Sequence, residues 1–457
     1  MVLEWAVVKD VLKPTVSAEH PVILVIASCA HERELESDRT HELTSLIDTA
    51  GRRVVATTSQ HLDKIVPGTY IGSGKVGEVA DLVREHGARE VVMDVRLSPR
   101  QQRNLEEATG VRVLDYDELI LTIFAANART SQAILAVELA QLEYTKGRLR
   151  RMWTHLDRQT TGGNAGSGSG FLSGTGEKQI EMDRRQLRRR IQDLKDRLVE
   201  IAERSDRTVQ TRKEAFNVAL VGYTNSGKST LMNALTNAGV LAENRLFATL
   251  DTRTARLHLD KHKNVVLSDT VGFIRNLPHT LIASFHATLS EVREADLLLH
   301  VVDSSSPVME EQMNAVNAVL TTIEAENVPA IVVFNKIDNC PSRTVLAAVR
   351  RHFKNSVEVS ALTGDGLGLL RDAIAEVIQR TIKKIRVRYP ATDGALDAII
   401  RSRAAIHGEE FDGDHVILTI AGDERLLGEL RANPTVTVGE AEAKKAELKK
   451  KPAKKKS

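Results

Sequence analysis

The chain has 457 residues, room for two to four domains, and its 42% hydrophobic and 27% charged residues are the balance of an ordinary globular protein. A net charge of +2 excludes a uniformly basic nucleic-acid binder, and no apolar run approaches the ~18–20 residues of a membrane helix. Cys29 and Cys340 are isolated, so no disulfide framework or zinc ligand set is expected, and a reducing cytoplasm fits. Met1 to Asp10 carries acidic residues and no long apolar stretch, so a signal peptide is not expected.

In chain order, Val22–Ala27 reads as a buried strand, residues 40–49 as a helix, and Arg53–Thr58 as a strand. A short strand follows over Thr69–Gly72, then a helix over 75–85 with Val76, Val79, Leu82 and Val83 on one face. Strands at 90–94 and 111–115 flank a helix that Ser98-Pro99 announces. This alternation predicts an N-terminal α/β domain with a parallel sheet over 20–127. Gly72-Ser-Gly-Lys75 resembles a phosphate loop, but Val76 follows the lysine and Thr69 stands where the first glycine belongs. It reads as a structural turn rather than a second triphosphate site.

From about Thr130 the period changes. Leu135, Leu139, Leu142, Leu149, Trp153 and Leu156, then Leu187, Ile191, Leu194, Leu198 and Ile201, are heptad seams. The glycine-dense stretch 160–176 between them breaks any helix. An antiparallel helical hairpin with a glycine-rich tip is expected over 128–213. Residues 146–190 hold eleven Lys or Arg against four acids, which favours an arm that contacts nucleic-acid phosphates over a merely solvated face.

Next comes an apolar run, Phe216–Val221, then Gly222, Tyr223, Thr224, Asn225, Ser226, Gly227, Lys228 and Ser229, then a helical pattern from Thr230. Strand, glycine-rich turn and helix are the parts a triphosphate needs. Backbone N–H groups of the turn wrap phosphate oxygens, Lys228 reaches the β- and γ-phosphates, and the Ser229 hydroxyl binds Mg²⁺. Asp269, Thr270, Val271 and Gly272 end a strand from Asn264, with Asp269 placed to hold Mg²⁺ through water and the Gly272 N–H to sense the γ-phosphate. Strands at 297–303 and 330–335 follow. The second runs into Asn335, Lys336, Ile337 and Asp338; the Asp338 carboxylate can accept from both N1–H and the 2-amino group of guanine, a donor pair adenine lacks. Val357–Leu362 reads as a strand and turn whose Ser360-Ala361 backbone can touch the guanine O6, with Leu362 counted beside them in the nucleotide site. A GTPase domain with a mostly parallel sheet is expected over 214–382. Strands at 385–389 and 416–420, with helices near 394–405 and 424–431, suggest a small α+β appendage over 383–440. Residues 441–457 are a lysine-rich tail expected to be disordered.

These ordered motifs, with Leu139-Ala-Gln-Leu142, Glu177-Lys-Gln-Ile-Glu181, Asp183-Arg-Arg185 and Phe247-Ala-Thr-Leu-Asp251, closely resemble the HflX family of ribosome-associated GTPases over roughly residues 20–440. The resemblance implies a GTP/GDP-binding, Mg²⁺-dependent GTPase that binds the large ribosomal subunit and its rRNA, splits or rescues ribosomes, and acts as a monomer without a membrane span. It places Phe247, Ala248, Thr249, Leu250 and Asp251 at the nucleotide, with Thr249 as the second protein ligand of Mg²⁺; the residues alone do not choose among Thr249, Thr252 and Thr254. It places Lys228, Thr249 and Gly272 in catalysis and matches Asn225 to an asparagine that binds K⁺ beside the phosphates in some related GTPases. Phe273 stands where Ras-type enzymes carry the glutamine that orients water, so slow intrinsic turnover is expected. The alternative reading is a regulatory GTP switch that binds a protein partner through a coiled-coil hairpin.

Overall fold

The computed structural model describes residues 20–29, 36–161, 185–201, 216–236, 246–247, 252–259, 264–276, 278, 281, 286–381, 385–421 and 424–440. It is α/β, with three separate sheets. They fall in two compact units, the second formed by the chain after residue 370 with the short pieces 211–216 and 258–265.

The first sheet has four strands in the order β2-β1-β3-β4: β1 (His20–Cys29), β2 (Arg52–Leu62), β3 (Glu90–Met93) and β4 (Arg112–Leu114), all parallel. Helices α1 (Glu36–Thr49), α2 (Ser73–His86), α3 (Pro99–Thr109) and α4 (Tyr116–Asn127) alternate with them. The boundaries follow local chemistry. Ser98 and Gln101 form a capping box ahead of α3, Asp115 caps α4, and Gly87 and Gly110 end α2 and α3 in the left-handed conformation. Thr69–Gly72 is not the expected strand. Tyr70 turns at φ 69° and forms an isolated antiparallel bridge with Val66, while the Thr69 hydroxyl donates to the Ile71 carbonyl.

Two long helices follow, α5 (Ser131–Thr161) and α6 (185–201). Leu139 and Leu142 of α5 are buried in one cluster with Ile191, Leu194 and Leu198 of α6, as heptad spacing predicts. Arg190 and Lys195 reach Glu138 and Glu143 across the pair. The tip stretch lies outside the described residues.

The second sheet has six strands, in the order β10-β9-β8-β5-β7-β6. These are β5 (Phe216–Gly222), β6 (Arg253–His258), β7 (Asn264–Asp269), β8 (Leu297–Asp303), β9 (Ala330–Asn335) and β10 (Ser356–Glu358). The pairs β5–β8, β8–β9 and β9–β10 are parallel. Helices α7 (Lys228–Thr236), α8 (His286–Arg293), α9 (Met309–Thr322) and α10 (Arg343–Arg350) lie between them in the chain, and α11 (Leu367–Thr381) follows β10. One apolar cluster runs from Val22, Leu24 and Ile26 of β1 through α4 and α5 to Val221, Phe247 and Phe273. The two sheets of the first unit thus share a core.

In the second unit, β11 (Ile385–Pro390), α12 (Gly394–Arg403), β12 (Ala405–Asp412), β13 (His415–Ala421), α13 (Glu424–Ala432) and β14 (Thr437–Glu440) build an antiparallel sheet ordered β12-β13-β11-β14. This βαββαβ connectivity is the ferredoxin-like arrangement, with two more strands than the sequence announces.

Candidate nucleotide site

β5 delivers the chain to the loop at Gly222, where a Cβ would stand 2.2 Å from the Val301 carbonyl oxygen on β8. Asn225 forms the exposed tip at φ 60°. Gly227 turns at φ 91°, and a Cβ there would lie 2.3 Å from Asn335 Nδ2. α7 then opens at Lys228, so its N-terminus faces the loop, the arrangement that binds anions. Lys228 is buried, and its Nζ donates to the carbonyls of Gly222 at 3.2 Å and Tyr223 at 2.9 Å. Burial lowers its pKa to about 8, against the pull of Asp269 and with a small push from Lys336. Behind it on β8, His300 is pulled down to about 4 by burial and by Lys228, so it is neutral at pH 7.

β7 ends at Asp269, fully buried, whose Oδ2 accepts the Ser229 hydroxyl at 2.6 Å. The Thr270 hydroxyl donates to the Leu220 carbonyl at 2.6 Å and fixes the strand end beside β5. Val271 is buried, and Gly272 passes so close to the loop that a Cβ would lie 2.8 Å from Thr224 Cα and 3.1 Å from Lys228 Nζ. Phe273 is buried rather than swung outward. Its N–H donates to the Gly222 carbonyl at 3.1 Å and its carbonyl accepts the Thr224 N–H at 2.7 Å. A P-loop fold implies Mg²⁺, and the adjoining Ser229 hydroxyl and Asp269 carboxylate supply the hard oxygens that ion prefers.

The opposite half of the site is built on β9. Asn335 is buried; its Nδ2 donates to the Ser226 carbonyl and its Oδ1 accepts the Ala361 N–H, both at 2.9 Å. Lys336 turns at φ 61° and its Nζ pairs with Asp303 at 2.7 Å. Ile337 packs against a core cluster, whereas Asp338 is exposed. Ser360 is buried, its hydroxyl accepting the Thr363 N–H, and Leu362 is 80% exposed.

Three family models match the chain in succession: a GTP-binding GTPase N-terminal region over 37–125, a GTP-binding GTPase middle region over 127–212, and a 50S ribosome-binding GTPase over 217–336. The GTPase HflX of Magnetococcus marinus is 45% identical over 395 residues, spanning 85% of this chain and 90% of that protein. The chain belongs to the HflX GTPase family. It is therefore a GTP-binding, GTP-hydrolysing enzyme. The GTPase HflX of Escherichia coli K12 is 40% identical over 400 residues, spanning 87% of this chain and 92% of that protein. Among solved structures, a GDP complex of SsGBP is 24% identical with a TM-score of 0.46, covering 79% of this chain and 98% of that one. No helix among the described residues is long and apolar enough to cross a membrane.

In this HflX-family enzyme the first parallel sheet's lobe reaches the phosphate half, which sequence reasoning missed. Asn127 Nδ2 donates to the Phe247 carbonyl at 3.1 Å, and the Phe124 and Phe247 rings lie 4.7 Å apart. Phe247 turns at φ 56° and its N–H donates to the Thr224 hydroxyl at 3.1 Å. Arg96 and Tyr116 donate to the carbonyls of Asn276 and Arg275, and Glu42 takes both Tyr223 and Arg275. Tyr223 thus turns its phenol away from the loop; burial and then the Glu42 carboxylate raise its pKa, so it stays a proton donor. Contacts across 120 to 233 residues leave no local signal in one sequence. Ala248, Thr249, Leu250 and Asp251 lie outside the described residues.

Two sequence readings meet their surroundings directly. Lys75 donates to the Thr58 hydroxyl and pairs with Glu78, and the Gly72 N–H donates to the Gln60 side-chain oxygen Oε1, so that turn is satisfied within the chain. Of the basic residues in the paired helices, Arg148 is held by Asp115 at 2.5 Å and Arg190 by Glu138, while Lys146, Arg185, Arg188 and Arg189 are exposed.

Proposed function

We propose that this HflX-family GTPase acts on the large ribosomal subunit, engages it and its rRNA in the GTP state, splits or rescues stalled ribosomes, and leaves after hydrolysis. The match of residues 217–336 to a 50S ribosome-binding GTPase carries this reading. The exposed Arg185, Arg188 and Arg189 on α6 support a phosphate-contacting arm. The working division is an α/β domain over 20–127, the hairpin over 128–213, the GTPase domain over 214–382 and the appendage over 383–440, with a tail over 441–457, in a monomer.

In this reading residues 222–230 cradle the triphosphate and Lys228 binds the β- and γ-phosphates. Ser229 and Thr249 hold Mg²⁺ directly and Asp269 through water, and the ion neutralises charge on the phosphates. Residues 247–251 and 269–272 contact the nucleotide, with the Gly272 N–H at the γ-phosphate. Asn335 to Asp338 and Ser360 to Leu362 receive guanine, and Asn225, exposed at the loop tip, is the residue for K⁺. Because the Phe273 side chain offers no polar group, water is oriented by backbone, cation or partner, and docking accelerates turnover by ordering the switch segments, residues 243–254 and 272–285.

The exposed Ile134 and Val199 on the paired helices favour the second reading, a GTP switch that grips a protein partner there. Cosedimentation with large subunits across a salt series, using a non-hydrolysable GTP analogue against GDP, separates the two. Binding in the analogue state that weakens steeply with salt is expected. Salt-independent or nucleotide-independent sedimentation would sink the first reading, as would GTP turnover that is equal with and without ribosomes.

A further inference from the structure

Glu42 lies on α1, more than two hundred residues from the segment it touches. One carboxylate oxygen accepts the Tyr223 phenol. The other accepts Arg275 Nη2 at 2.8 Å and Nε at 3.2 Å. Tyr223 Oη in turn accepts the Arg275 backbone N–H at 3.0 Å. The loop is closed from a second side, because the Arg275 carbonyl accepts the Tyr116 hydroxyl at 2.8 Å.

Tyr223 belongs to the glycine-rich loop, and its own carbonyl holds Lys228 Nζ. Arg275 is the third residue beyond Gly272. A single carboxylate from the N-terminal lobe therefore fixes the loop and the segment after Gly272 to one another. An apolar residue at position 42 would fill the space but fix no direction, whereas three charge-assisted hydrogen bonds set both distance and orientation. Such fixing matters here because Phe273 supplies no group to orient the reactants, so the geometry must come from a held backbone.

We infer that Glu42 is a positioning residue for GTP hydrolysis, acting through Tyr223 and Arg275 to keep the phosphate loop and the Gly272 segment in their productive arrangement. This rests on residues 222–229 being the phosphate cradle.

Steady-state GTP hydrolysis and GTP binding by the full chain test it, with Glu42→Ala, Glu42→Gln, Tyr223→Phe, the Glu42→Ala/Tyr223→Phe pair and Lys228→Ala. Glu42→Ala should lower kcat about tenfold while KM stays within about twofold. Glu42→Gln, which keeps one acceptor, should recover part of that loss. The double variant should be little worse than Glu42→Ala alone, since both changes break one unit. An unchanged or raised kcat for Glu42→Ala, no recovery in Glu42→Gln, or additive losses in the pair would overturn the inference. If Glu42→Ala does not fold, Glu42→Gln and Tyr223→Phe decide: both must lower kcat with KM held. Lys228→Ala separates the failures. If it still binds GTP normally, the cradle assignment falls and the positioning role falls with it. If it loses GTP while Glu42→Ala keeps its kcat, the positioning role alone fails.

Discussion

The two halves of the candidate site are built to different standards. The half beside Lys228 is sealed: Lys228, Asp269 and Phe273 are buried, and side chains from the first lobe grip the segments around it. The half beside Asp338 is open: Asp338 is exposed, Leu362 is 80% exposed, Lys336 is held by Asp303 at the end of β8, and the Ser360 hydroxyl takes the Thr363 N–H. Low effective dielectric makes charge placement count for more on the sealed side. A rim that only selects a base needs direction, not burial. Asn335 is the tie between them, with one amide end on Ser226 and the other on Ala361. In the proposed reading, the residues that would hold guanine are braced from β8, β9 and the turn after β10, whereas those that would hold the phosphates are gripped from α1 and α4 as well.

If the sealed half carries the reaction, Lys228→Ala should be the most damaging change. Removing its charge from a buried phosphate site should cost about a hundredfold or more in kcat/KM for GTP, by steady-state hydrolysis. Gly227→Ala should approach this, because the added Cβ meets Asn335 Nδ2 at 2.3 Å and φ 91° is unfavourable for alanine. The open half should answer differently. Asp338→Ala should weaken GTP binding about tenfold to a hundredfold through lost charge-assisted hydrogen bonds, and it should narrow the preference for GTP over ATP with little change in kcat. Titration of both nucleotides reads this. If Asp338→Ala lowers kcat as much as Lys228→Ala does, the two halves are not separable.

The contrast also separates what the sequence could say from what it could not. Chain-local chemistry was legible: glycine spacing at 222–229, the strand ends at Asp269 and Asn335, strand and helix alternation, and the heptads that pair α5 with α6. α4 escaped notice because Leu119, Ile120, Leu121, Ile123 and Phe124 are all buried, so no apolar stripe alternates with a polar one. β12 is interrupted by Gly408, where its register with β13 shifts, and β14 is only four residues long, so neither stands out from a loop by composition. The hold of Glu42, Arg96, Tyr116 and Asn127 on the phosphate half was invisible for another reason. Each is a single polar residue on an otherwise ordinary helix or strand end, and its partner is set by tertiary packing alone. The basic count hides one such contact, since sequence alone does not show that Arg148 is paired with Asp115.

The mildest test of the sealed half needs no mutation. Burial lowers the Lys228 pKa to about 8, so the nucleotide-free enzyme loses this charge as pH rises through 8. Triphosphate stabilises the charged form, so the bound-state pKa is higher than the free one. Between those two values, binding takes up a proton and affinity falls by up to about tenfold per pH unit. GTP affinity should therefore be flat from pH 6 to 7.5 and about tenfold weaker at pH 9, measured by fluorescent-nucleotide titration. The folded enzyme's own stability moves the opposite way. Its Lys228 pKa lies below the unfolded value, so the unfolded chain binds more protons between the two, and nucleotide-free stability gains from this group as pH rises above 8. Weaker binding alongside undiminished melting temperature would place the effect on the phosphate contact itself. A Lys228→Arg enzyme, charged throughout this range, should lose the pH dependence even if its affinity is lower at every pH. Persistence of the same fall in that variant would move the titrating group away from Lys228 and remove the strongest electrostatic difference between the two halves.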